Sequence, residues 1–141
     1  MNIHSSTVRR FISELFKSVF LYHWKEESQH AILDELEWVR HDATATDSDR
    51  NKAVDESIEL VTAIDGILQA QATADARYFK ANCSRAVDET EAQSIEANFL
   101  EAYRWQYTHS GVRHPHFGEV LYSLISESQR MRIHAALAAL Q

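Results

Sequence analysis

Three glycines and one proline punctuate 141 residues. Those two residues supply the left-handed and fixed-φ positions that tight turns need. A chain so poor in both cannot build the many turns of a β sandwich or barrel. It also lacks the glycine-rich loops that cradle phosphates or dinucleotides. What survives is a fold of long uninterrupted helices. The expected class is all-α: an antiparallel helical bundle with two long helices, one medium and two short, since short connections make neighbours antiparallel.

The hydrophobic pattern places the elements. A first helix is expected over residues 6–41, with Ser5, Ser6 and Thr7 as candidate caps. Ile12, Leu15, Val19, Tyr22, Leu33 and Leu36 recur on one face, and Phe11, Phe16 and Phe20 widen it. At 1.5 Å per residue such a helix is roughly 50 Å long, a length suited to a bundle or an intersubunit seam. A polar connection follows over residues 42–50, where Thr46, Asp47 and Ser48 can cap the second helix. That helix covers residues 49–82, with Val54, Ile58, Val61, Ile64, Leu68, Ala72 and Phe79 as its stripe and Gly66 inside it. A third helix over residues 88–109 opens on Asp88 and Glu91, spaced as a capping-box variant. Its apolar face is Ile95, Phe99, Leu100, Tyr103 and Tyr107. Gly111 is the expected stop. Residues 109–116 read as a loop ending in His114-Pro115-His116. A short helix over 117–125 and a last one, capped by Ser126 and ending near Leu140, complete the chain. No composition shift divides it, so residues 1–141 are expected to form one helical-bundle domain. At this length about two-thirds of the unfolded surface can be buried.

The formal net charge of −7 argues against broad binding to nucleic acid or anionic membrane. No apolar run approaches the roughly 20 residues that span a bilayer. Residues 1–10 are polar and lack the apolar core of a signal peptide. Cys83 is alone, which rules out an intrachain disulfide. A cytoplasmic location is the expectation.

One cluster carries chemistry. His23, Glu27 and His30 stand at i, i+4 and i+7, on one helix face. Asp34 extends the row by a turn, and Phe16 and Phe20 precede it. Imidazole nitrogen and carboxylate oxygen suit iron, manganese or zinc. A bridging carboxylate can hold two ions while each imidazole takes one of them. The bland alternative is a solvated polar face, since Lys25, Glu26 and Ser28 make this stretch polar on several sides.

This His-x3-Glu-x2-His stretch resembles the ferritin-like di-iron carboxylate superfamily, in particular the arylamine N-oxygenase type. The resemblance implies a ferritin-like bundle, iron as cofactor (manganese or zinc being the other ions that suit the donors), and His23, Glu27 and His30 as ligands. It covers the first helix only. A complete site of that type needs a second Glu-x-x-His and further glutamates from other helices. This chain has no second Glu-x-x-His, and its motif lies in the first helix, where the family has it late. The chain therefore resembles part of a longer ferritin-like protein, and the site is expected to be completed across a homodimer.

Other residues are weaker candidates. Asp65 lies on or beside the apolar stripe of the second helix, near Gln69 and Asp75. It reads either as a further metal carboxylate or as the partner of Arg77 or Arg104. Asp75 is a second candidate carboxylate. His109, His114 and His116 surround Pro115 without the framing of a zinc site. Tyr103, Trp105 and Tyr107 can line a ligand pocket or an interface, or form plain core. Two readings of function stand side by side. One is a metal-binding protein, and by extension a di-iron oxidoreductase acting on a small molecule. The other is a metal-free helical dimerisation module that keeps the row as a vestige.

Overall fold

The computed structural model describes residues 13–140, and among them every regular element is a helix. Helix α1 is Glu14–Asp42, α2 is Asp47–Asn82, and α3 is Glu89–Arg104. A π-helical turn, Trp105–His109, and one further α turn, Ser110–Val112, continue α3. Helices α4 (Pro115–Leu124) and α5 (Glu127–Ala138) follow. The chain divides into two units between Thr44 and Ala45.

In the first unit α1 starts at Ser13, whose hydroxyl accepts from the Phe16 N–H at 3.2 Å. Glu14 in the first turn, with Arg40 and His41 in the last, match the helix dipole. The expected caps Ser5, Ser6 and Thr7 lie outside the described residues. None of the residues of α1 is buried. Leu15 is 75% exposed and Leu36 62%. The sequence suggests one apolar face, yet Leu21, Trp24, Ile32 and Val39 lie off that face and are as open as the rest. Beyond Phe20 the helix carries large apolar side chains on several faces, the face of His23, Glu27 and His30 excepted. Apolar surface of that extent is normally covered.

In the second unit α2 is the spine. Thr46 and Asp49 cap it reciprocally, the Thr46 hydroxyl accepting from the Asp49 N–H and the Asp49 carboxylate from the Thr46 N–H. Its buried residues Val54, Asp65, Leu68, Ala72 and Ala76 fall on one side. There α3 packs, through Lys80 with Glu89 (3.1 Å), Thr73 with Glu96 (2.6 Å) and Asp65 with Arg104 (2.7 Å). The contacts step back along α2 as they advance along α3. Helix α5 packs at the start of α2, where Gln129 donates to Asn51 at 3.0 Å and Arg132 reaches Asn51 and Asp55. Ser126 caps α5 in a full capping box with Gln129.

Several expectations are corrected here. The expected loop over residues 109–116 is mostly helical. The π turn carries the chain through His109, and Pro115 sits in the first turn of α4, where its missing N–H costs no bond. Gly111 lies inside a helical turn, and no glycine among the described residues has positive φ. Phe79, expected in the stripe of α2, is 41% exposed. Asp88 does accept from the Glu91 N–H, at 2.8 Å, but Glu91 turns its carboxylate to Arg85 instead of closing the box. The buried apolar residues among those described are Val54, Leu68, Ala72, Ala76 and Leu140. This is a thin core, and two of its members are methyl groups of alanine.

Candidate functional site

The row on α1 forms as the spacing requires. His23, Glu27 and His30 project from one face, and Glu27 lies between the imidazoles. Its Oε1 is 3.7 Å from His23 Nε2 and its Oε2 is 3.4 Å from His30 Nδ1. One carboxylate thus faces a different nitrogen with each oxygen. The three side chains are 55–60% exposed, so all of them are open to an incoming ligand. Asp34 is exposed one turn further on.

The row does not stop at Asp34. Glu37 and His41 continue it, with His41 Nε2 3.6 Å from Glu37 Oε2. Arg40 shares that carboxylate oxygen at 2.5 Å. The signal for these two residues was present in the sequence. From Phe16 to His41 the steps are alternately four and three residues, through Phe20, His23, Glu27, His30, Asp34 and Glu37. That is the a/d spacing of a coiled-coil seam, here filled beyond Phe20 by imidazoles and carboxylates. Among the described residues, no three His, Cys, Asp or Glu side chains converge closely enough to hold one metal ion. On the single chain the donors come as pairs one turn apart.

Asp65 is in the second unit and is 4% exposed. Its carboxylate accepts from Arg104 Nε at 2.7 Å, Arg104 Nη2 at 2.9 Å and Gln69 Nε2 at 2.6 Å. Arg104, rather than Arg77, is the cation. The guanidinium, chiefly by hydrogen bonding, holds the Asp65 carboxyl below the usual carboxylate range against the opposing effect of burial. The same bond raises Arg104. Asp75, the other carboxylate considered on α2, accepts from the Tyr103 hydroxyl at 2.5 Å and from Gln71 at 2.9 Å. The phenol, first, and then the amide lower its pKa, and the carboxylate raises that of Tyr103.

The remaining candidates are dispersed. His109 ends the π turn, His114 precedes α4, and His116 Nδ1 lies 3.7 Å from Glu119. Trp105 and Tyr107 are exposed, with Arg113 stacked over the Trp105 ring. Cys83 is half-buried at the end of α2. Between α2 and α3 a shallow cleft of about 400 Å³ is lined by Gln69, Thr73, Gln93 and Glu96. No helix among the described residues is long and apolar enough to cross a membrane. Against family models, curated proteins and solved structures alike, nothing matches this chain.

Proposed function

We propose that this chain is a metal-binding helical protein whose site is built on α1 and completed by self-association, within an antiparallel, ferritin-like arrangement of helices. The observation that carries the reading is Glu27, placed between the two imidazoles with one oxygen toward each. The donor set fits the ions named from the sequence, two neutral nitrogens and a carboxylate being suited to iron, manganese or zinc. His23 and His30 would each hold an ion from their own turn, with Glu27 reaching both. Bound iron would supply redox chemistry toward a small substrate. The chain's own part is to fix donor spacing by helix geometry and to leave the donors open.

The second reading, a metal-free association helix, is favoured by a different observation. The exposed Leu15, Tyr22, Trp24, Leu33 and Leu36 call for cover whether or not a metal is present.

Metal content separates the two. The protein is purified without chelator or affinity metal and analysed by plasma mass spectrometry beside Glu27→Ala. The expected result is near-stoichiometric metal in the parent and at least a tenfold loss in the variant. Parent protein that stays metal-free after anaerobic iron loading, with the variant equally stable and equally associated, would leave only the association helix standing.

A further inference from the structure

We infer that the row on α1 is one face of a two-copy metal seam. In it His23 and Glu27 of one chain share a divalent transition-metal ion with Glu37 and His41 of a second copy running antiparallel. This rests on the reading that the row binds metal; it names the partner and the missing ligands, and it gives His30 a pairing role in place of a ligand's.

The argument starts from symmetry in the sequence. His23 and His41 are equidistant from Ile32, as are Glu27 and Glu37, and His30 and Asp34. Two copies of α1 laid antiparallel about that point bring His23 opposite His41, Glu27 opposite Glu37, and His30 opposite Asp34. The alternating four-three spacing keeps all of these residues on one seam along the helix. Packed helices lie about 8–10 Å apart, so side chains of this length meet at the midline.

The local geometry supports the same pairing. Within each chain the two i,i+4 pairs are already drawn together, His23 to Glu27 at 3.7 Å and His41 to Glu37 at 3.6 Å. Each pair is half a ligand set. Two imidazoles and two carboxylates make four donors, the number and type that a tetrahedral zinc-class ion takes. The two-fold axis makes two such sites per dimer, roughly 20 Å apart by helix rise. Between them, His30 faces Asp34 of the second copy in both directions, a complementary pair. Arg40 must release Glu37, and His30 must release Glu27, but both pairs are exposed and weak.

Charge decides that the metal is needed. Without it Glu27 faces Glu37 of the second copy, and like charges across a seam oppose association. A divalent cation between them neutralises both carboxylates. The dimer formed through this seam is therefore metal-dependent. A parallel pair would set every carboxylate against its own copy and would lose the His30–Asp34 match.

The test uses the full chain and two variants, His23→Ala/Glu27→Gln and Glu37→Gln/His41→Ala. Every changed side chain is exposed on α1, so folding of the second unit is not at risk. Zinc is titrated after chelator treatment, with sedimentation velocity for mass and cobalt(II) absorption for coordination. The parent is expected to take up about one ion per chain, to dimerise as it does so, and to give the intense visible bands of four-coordinate cobalt. Each variant alone is expected to lose both uptake and metal-induced dimerisation. An equimolar mixture of the two is expected to regain them, because one intact site forms in each mixed dimer, up to one ion per two chains. Zinc uptake kept by Glu37→Gln/His41→Ala and lost by the other variant would overturn the seam while leaving His23, Glu27 and His30 as a site. A mixture that stays metal-free would overturn it equally, by placing all ligands in one chain. A parent that binds neither zinc nor cobalt would remove the seam, while the metal reading would then stand or fall on anaerobic iron loading.

Discussion

Replacing Asp65 with alanine is expected to destabilise the second unit by about 3 kcal/mol, the low end for breaking a buried ion pair from one side. The substitution removes both acceptors from Arg104, whose side chain is only 19% exposed. It also strands Gln69, which donates to the same carboxylate. The guanidinium is then a charge with no partner in a place that water reaches poorly. Urea unfolding of the full chain followed by circular dichroism reads the loss as a lower midpoint at unchanged slope. Asp65→Leu combined with Arg104→Met should recover most of it, because removing both charges leaves neither stranded. A recovery that fails would show that the pair contributes by its attraction and not merely by mutual neutralisation.

The same pair gives the second unit an acid limit. The Asp65 pKa is depressed in the folded state. The stabilisation is therefore present above the unfolded value of about 3.9 and is lost as pH falls through the folded one. Asp75 and Glu91 are lowered too, by Tyr103 and Arg85 in turn, and act in the same direction. Asp65→Leu/Arg104→Met should flatten the acid side of the stability profile.

Leu68→Ala is the second large effect, expected to cost about 2–4 kcal/mol. Leu68 is 7% exposed on the side of α2 that meets α3. Its neighbours on that face, Ala72 and Ala76, are too small to fill the space it would leave. With so thin a core the loss is a large fraction of the total stability of an ordinary domain. The thermal midpoint of the second unit should fall by about 10 °C or more. A shift within a degree or two would mean that the α2–α3 contact is held by its polar links alone.

The fold class was legible because glycine and proline report on turns directly, and four of them in the whole chain leave little but helix. Caps were legible where one side chain serves a backbone group three residues on, as Thr46 and Ser126 do. The π turn was not. It depends on a register shift in backbone hydrogen bonds that no residue type announces, and so the stretch around Pro115 read as a loop. The facing of α1 was not legible for another reason. Ile12, Leu15 and Val19 fit a single stripe, but a stripe is informative only if the other faces are polar, and Leu21, Trp24 and Ile32 make them apolar. The His23–Glu27–His30 row was visible from spacing. Glu37 and His41 follow the same spacing, and are legible only where the row is taken as a repeat rather than as a three-residue motif.

The uncovered α1 has a consequence for how much helix the chain contains at all. Helix nucleation is costly, and a segment held by no packing gains little beyond its own hydrogen bonds. The second unit carries its core within one chain, so its folding is indifferent to dilution. Helix α1 has no buried residue, so its order rests on its own hydrogen bonds, its caps and the side-chain pairs one turn apart along it. Anything that covers its leucines and aromatics would therefore raise its helix content as it binds, by mass action.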